Sequence, residues 1–265
     1  MPELPELAIY AENLRSRVVG KVITAVKVHH SVALKQITAE DFVRSVTEHI
    51  VRDVARRGKT LGFSLDSDDR VDVHLMLKGN MYFAEPRVPE PCVELDFEDG
   101  ASLVFSDSQY SVIPPRAPRL WIGLNQKEDF GLDPSDPAFT PEILVDICRK
   151  KKVPIKVLLG DQKVIGGLGN AYVDEILWVA KIKHDRIAAL MTAEEVRKIH
   201  QAIGEILDLA LTQTRKGLAG QVHGEVRDYF RVHLRAGKLC PQCGTKIAQE
   251  YFRGRITNWC PTCQI

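Results

Sequence analysis

The chain has 265 residues, 45% of them hydrophobic and 27% charged, with a formal net charge of +1. That length accommodates two domains with cores of their own, and no apolar run reaches the ~18 residues of a membrane-spanning helix. Charge is uneven: residues 146–265 hold 20 Lys and Arg against 12 Asp and Glu, residues 1–145 hold 16 against 23, so the front half is expected to supply chemistry and the basic back half most of a phosphate grip.

The N-terminus, Met1-Pro2-Glu3-Leu4-Pro5-Glu6, is acidic and punctuated by proline. It has none of the marks of a signal peptide, so a cytosolic, reducing compartment is expected. Proline at position 2 invites removal of Met1, which leaves a secondary amine. An α-amine with a pKa near ~8 is partly neutral at pH 7 and can attack a sugar aldehyde carbon to give a Schiff base. Glu3 beside it and Glu6 one turn on are placed to move protons. The same residues also read as a plain leader to a helix.

Leu7, Tyr10, Leu14 and Val18 recur at helical spacing and predict a helix over 7–18, ended by Gly20. Short β-rich runs follow at 22–28, 51–54, 60–65, 71–75, 81–84, 92–97 and 102–105, with turns at 66–70 and 98–100. They predict a β-sandwich. Thr38, with Asp41 three residues on, predicts a capped helix over 38–48. Ile113-Pro-Pro-Arg-Ala-Pro118 is expected to form a stiff loop, and Asp133-Pro-Ser-Asp-Pro137 to close the first domain.

Helical patterns then take over at 140–149, 154–159, 171–180 and 192–214. Between the second and third lies Gly166-Gly-Leu-Gly169-Asn170. Its glycines allow a tight turn and close backbone approach, and the helix that follows presents its N-terminus to a phosphate. Trp178 falls in an apolar helical pattern and is expected in the core. His223 and His233 read as surface histidines or DNA contacts. Cys92 and Cys148 read as buried bystanders.

The chain closes on Cys240-Pro-Gln-Cys243, sixteen residues, then Cys260-Pro-Thr-Cys263. Two such knuckles suit a four-thiolate Zn²⁺ site, and four thiolates leave no open position for substrate. A redox centre would need one knuckle, and disulfides are disfavoured in a reducing compartment. The zinc is therefore structural. It staples a hairpin, 244–259, that carries Lys246, Arg253 and Arg255.

Along essentially its whole length the chain resembles the bacterial formamidopyrimidine-DNA glycosylase / endonuclease VIII family. The resemblance is carried by Met1-Pro-Glu-Leu-Pro-Glu6, Arg57-Gly-Lys59, His74-Leu75 to Gly79, Asp161-Gln162 to Glu175, and the cysteine hairpin with Gly254-Arg255-x-Thr257 and the terminal Gln264. It implies an α+β protein: a β-sandwich catalytic domain with flanking helices over 1–133, a helix–two-turn–helix DNA-binding domain over 134–219, and a zinc-finger hairpin over 220–265. It implies a bifunctional DNA glycosylase/AP lyase, monomeric on damaged DNA in the cytoplasm and nucleoid, that extrudes its target nucleotide into a pocket between domains. Pro2 would be the nucleophile, Glu3 would protonate the opening deoxyribose, and Glu6 would assist proton transfer. Lys59, Asn170 and Arg255 would clamp phosphates, Lys59 counting also with the catalytic set. His74, Leu77, Gln109 and Tyr110 would face DNA, and Cys240, Cys243, Cys260 and Cys263 would hold one structural Zn²⁺.

The sequence departs from the formamidopyrimidine branch where that branch reads lesions. Leu77 stands at the wedge methionine, and Met76, one residue off, is expected to face the other way along a strand. Gln109, Tyr110 and Ser111 replace two arginines and the intercalating phenylalanine, and Val232-His-Leu-Arg235 replaces Val-Tyr-Gly-Arg. The reaction type is expected to persist on other lesions than 8-oxoguanine opposite cytosine. A damage-binding protein, an abasic-site lyase without base excision, and an RNA-binding zinc module remain as alternatives.

Overall fold

The computed structural model describes residues 1–85, 87–107, 120–127 and 129–265. Helix α1 (Leu4–Val18) opens the chain with proline in its first turn, where the missing N–H costs no hydrogen bond. Its buried face, with Leu4, Leu7, Leu14 and Val18, packs on strands β2 and β3. The helix begins three residues earlier than the apolar spacing predicts because Glu3 and Glu6 form a capping box around its first turn.

Among the described residues ten strands follow, the first seven where the apolar runs place them: β1 (Ile23–Val28), β2 (Val51–Arg57), β3 (Thr60–Leu65), β4 (Arg70–His74), β5 (Gly79–Phe83), β6 (Pro91–Phe97) and β7 (Ser102–Asp107), then β8 (Trp121–Leu124), β9 (Ala248–Phe252) and β10 (Arg255–Trp259). The first eight form two antiparallel four-stranded sheets, ordered β1-β6-β7-β5 and β2-β3-β4-β8. Phe63 of one sheet meets Phe105 of the other edge to face, with ring centroids 6.2 Å apart. The expected sandwich is thus present. Helix α2 (Ala39–Val46) is capped as predicted, the Asp41 amide donating to Thr38 Oγ1 at 3.1 Å.

Helices α3 (Pro141–Arg149), α4 (Ile155–Leu159), α5 (Asn170–Ala180) and α6 (Ala193–Leu218) follow. The chain divides into two compact units: Met1–Glu128 with Thr214–Val226, and Asp129–Gln213 with Arg227–Ile265. Helix α6 is shared between them, so the chain returns to the first unit before the zinc hairpin begins.

The connection from β4 to β5 corrects one expectation. Residues 75–78 form a turn, not a strand, and Met76 has φ +47°. The Met76 amide donates to His74 Nδ1 at 3.0 Å, and the Gly79 amide donates to the Leu75 carbonyl at 2.8 Å. This leaves Leu77 at the tip, 70% exposed. Gly79 closes the turn because a Cβ there would lie 2.5 Å from the Leu75 oxygen and 2.7 Å from Leu120 Cβ. Gly79→Ala is expected to lower the unfolding free energy by about 2–4 kcal/mol, as read by urea denaturation with circular dichroism.

Candidate functional site

In the first unit the start of α1 is buried. Pro2 is buried, and Glu3 and Glu6 are 3% and 0% exposed. The Glu6 carboxylate accepts the Glu3 amide at 2.9 Å. Two carboxylates at a helix N-terminus meet the positive end of the helix dipole, which offsets part of their desolvation. The Met1 ammonium lies 2.6 Å from Glu225 Oε1. The first residues are therefore held by the helix cap behind them and by a carboxylate from residues 214–226.

Lys59 occupies the two-residue turn between β2 and β3, after Gly58 at φ +55°, and is only 6% exposed. His74 ends β4 and stacks on Trp121, with centroids 5.7 Å apart, while Lys35 Nζ sits 3.8 Å from the Trp121 ring centre. Pro2, Glu3, Glu6, Lys59, His74 and Leu77 all belong to this unit. Gln109 and Tyr110 lie outside the described residues.

In the second unit a cleft of about 380 Å³ is lined by Lys156, Gly160, Gln162, Asn170, Arg253 and Arg255. Gln162 shapes the turn between α4 and α5. Its Nε2 donates to the Gly160 and Leu168 carbonyls at 3.2 and 2.6 Å, and its Oε1 accepts the Gly167 amide at 2.9 Å. Gly167 needs its glycine, at φ +99°. The turn delivers Asn170 at the first position of α5, a first turn that holds no acidic residue. Asn170 Nδ2 donates to the Ile256 carbonyl of β10 at 2.8 Å. Arg255 reaches the same cleft from the hairpin, whose Arg253-Gly254 turn has φ +48° and +84°, the signs of a type I′ turn. A helix N-terminus, a side-chain amide and two arginines converging on one cleft make an anion site. Lys156 carries no signal in the sequence that marks it for this cleft.

Beneath this cleft lies a buried polar hub. Lys156 pairs with Asp174, both at most 5% exposed. Asp174 Oδ2 also meets His233 Nδ1 at 2.8 Å and accepts the Asn258 amide at 3.2 Å. His233 is thus buried, and the reading of it as a surface residue is corrected: the Asp174 carboxylate gives it a partner inside. Glu175 accepts the amides of Arg231, Val232 and His233 at 2.8–2.9 Å. Burial pushes its carboxyl up from the usual range, against the pull of those three bonds. On the hairpin side His184 Nε2 meets Glu250 Oε1 at 2.5 Å, and burial holds the imidazole below its ordinary pKa.

The four cysteines converge as expected. Their sulfurs all lie within 4.8 Å of one another, with Cys240–Cys263 at 3.9 Å and Cys243–Cys260 at 3.4 Å. Tetrahedral zinc at about 2.3 Å from each sulfur requires separations of roughly 3.8 Å, so the cluster fits the ion. Gln264 ties the second knuckle to the helices, its Oε1 accepting the Cys260 amide at 2.9 Å and its Nε2 donating to the Ile182 carbonyl at 3.0 Å. Cys240, Cys260, Ile247 and Val232 pack on Trp178, which is buried as expected. Cys92 and Cys148 are buried away from this cluster, and burial raises each thiol to about 11.

Three family models match the chain in succession: the formamidopyrimidine-DNA glycosylase N-terminal domain over residues 1–110, its H2TH domain over 130–221, and the zinc finger found in FPG and IleRS over 237–265. The chain belongs to the formamidopyrimidine-DNA glycosylase family. Formamidopyrimidine-DNA glycosylases of Exiguobacterium sibiricum and Streptococcus pneumoniae are 34% and 32% identical to it over 100% of this chain and 99% of theirs. A Lactococcus lactis formamidopyrimidine-DNA glycosylase in complex with abasic-site DNA superposes with a TM-score of 0.87 at 26% identity, covering 99% of both chains. The same bacterium's enzyme bound to DNA containing a formamidopyrimidine lesion gives the same score and coverage. The zinc cluster is that family's finger, and no helix among the described residues is long and apolar enough to cross a membrane.

The hub makes the family's finger dependent on α5. Glu175→Ala leaves three inward amides without an acceptor and is expected to cost about 3–5 kcal/mol of stability. It is also expected to speed zinc loss to a chelator at least several-fold over the native protein, as followed by a colorimetric zinc indicator.

Proposed function

We propose that the protein is a bifunctional DNA glycosylase/AP lyase that excises damaged bases through an N-terminal proline Schiff base followed by β,δ-elimination, with 8-oxoguanine opposite cytosine not its preferred substrate. The observation that carries this reading is the buried, capped N-terminus that presents Pro2 and Glu3 together in a member of this family. Once Met1 is removed, the Pro2 amine attacks C1′ of the damaged nucleotide. Glu3 protonates the sugar oxygen as the ring opens, and Glu6 holds the Glu3 backbone in register. Asn170 and Arg255 grip backbone phosphates at the cleft beside α5, and Lys59 contributes a phosphate contact from the sandwich. Arg253 adds positive charge to that cleft, while Lys156 is held beneath it by Asp174. The zinc, when bound, braces the hairpin and supplies no chemistry. The substrate implies a place in the bacterial cytoplasm at the nucleoid, with the protein acting as a monomer on DNA.

The altered lesion range rests on the sequence of Gln109, Tyr110 and Ser111. Loss of two arginines removes the charged donors with which the branch reads the orphaned base, while Tyr110 retains a stacking surface worth about 1–3 kcal/mol per base. Leu77, exposed at the tip of its turn, keeps an apolar wedge in place of methionine. These changes also favour a second reading, an abasic-site lyase with weakened base release. A panel of oligonucleotides, each with one lesion, in duplex, bubble and single-stranded form, separates the two. The expected result is free base from formamidopyrimidine or oxidised-pyrimidine substrates at rates at least 10-fold above 8-oxoguanine opposite cytosine. Cytosine-selective release of 8-oxoguanine as the best substrate contradicts the proposed specificity. Strand cleavage at preformed abasic sites with no base release from any lesion supports the lyase.

A further inference from the structure

The last turn of α6 and the residues after it, Thr214–Val226, belong to the first unit and are tied along α1. Arg215 grips Glu12 through bonds of 2.9 and 3.1 Å, Asn13 Nδ2 donates to the Gln221 carbonyl at 2.8 Å, and the Tyr10 hydroxyl donates to the Gly224 carbonyl at 2.5 Å. Gly224 takes φ +99°, a left-handed conformation that turns the chain. Gly217 leaves room for Val226, since a Cβ there would lie 2.6 Å from a Val226 methyl. The consequence of these ties is the position of Glu225. Its Oε1 is 2.6 Å from the Met1 ammonium, with the side chain 33% exposed. One residue advances a chain by at most about 3.6 Å, so once Met1 is gone a rotation of the Glu225 side chain brings the same carboxylate to the Pro2 nitrogen.

We propose that Glu225 is the acid–base partner of the Pro2 amine, holding the mature N-terminal nitrogen in place and taking its proton as the bond to the sugar forms. The inference rests on the reading of Pro2 as nucleophile. In the step, the nitrogen lone pair forms the N–C1′ bond while the C1′–base bond breaks and its electron pair leaves with the base. The nitrogen is then a tertiary ammonium, and its proton passes to the Glu225 carboxylate. The recovered lone pair makes the C1′=N bond of the iminium as the C1′–O4′ pair moves to O4′, which takes a proton from Glu3. This separates two duties that one carboxylate would otherwise have to perform in sequence. Glu6, with no exposed surface and engaged by the Glu3 amide, keeps the cap.

The test compares the mature native protein with Glu225→Gln, Glu225→Ala and Glu225→Asp. Three quantities are read for each: single-turnover borohydride trapping on a preformed abasic duplex, affinity for a duplex carrying the unreactive tetrahydrofuran analogue, and the thermal midpoint. Glu225→Gln and Glu225→Ala are expected to trap about 100-fold more slowly, the low end of acid–base contributions, with affinity and thermal midpoint unchanged. Glu225→Asp is expected to recover part of the rate, and added formate to rescue Glu225→Ala. Native-rate trapping by Glu225→Gln overturns the proposal, as does a rate loss in Glu225→Ala that formate does not relieve and that tracks weaker binding. Absence of any covalent product from the native protein would instead overturn the reading of Pro2 on which the proposal stands.

Discussion

The second unit, with the cleft beside α5, depends on two adjacent carboxylates, Asp174 and Glu175, buried on that helix. A zinc-stapled hairpin has too little apolar surface to fix its own orientation. Here it packs on Trp178 and is tied down by buried polar bonds. Glu175 gathers three successive amides of residues 231–233, and Asp174 joins Lys156 from α4, His233 from the linker and the Asn258 amide from β10. Such a hub is costly to half-satisfy and stiff when complete. Because α5 also carries Asn170 at its first position, the same helix that anchors the hairpin offers its positive end to the cleft. The Asn170 bond to Ile256 closes the loop by linking that end directly to β10.

The first unit uses a different device with the same logic. Pro2 and Glu3 stand at the start of a helix, where disorder is the usual outcome. Burial of Leu4 and Leu7, the Glu3–Glu6 cap and the pairing of the first ammonium with Glu225 remove that freedom. On the proposed reading of Pro2 as nucleophile, such fixing matters because a reacting group gains most from being held in one place. The return of residues 214–226 to the first unit makes this possible, since Glu225 is over 200 residues from Met1 in sequence.

Much of this was legible in the residues. Alternating apolar runs located seven sandwich strands to within one to three residues, and paired knuckles with sixteen residues between them identified the metal site. What escaped has a common cause, namely dependence on partners distant in sequence. β8 is four residues long and pairs with β4, roughly fifty residues earlier, through Val71↔Leu124 to His74↔Trp121, so its local pattern is too short to register. His233 looks like a surface residue until Asp174 is brought to it. Met76 is expected in a strand because His74 to Gly79 resembles the family's strand, whereas the Met76 amide bonds back to His74 and the close contacts at Gly79 leave a turn there. Glu225 carries no local signal at all, since its meaning comes from an ammonium at the other end of the chain.

The central claim is that the nitrogen of Pro2 attacks the sugar. Borohydride reduction of the complex with an abasic duplex, followed by proteolysis and mass spectrometry, locates the attachment directly. The reduced deoxyribose remnant is predicted on the N-terminal peptide beginning at Pro2. Attachment to a lysine-containing peptide, such as that of Lys59, with an unmodified N-terminal peptide would contradict the account.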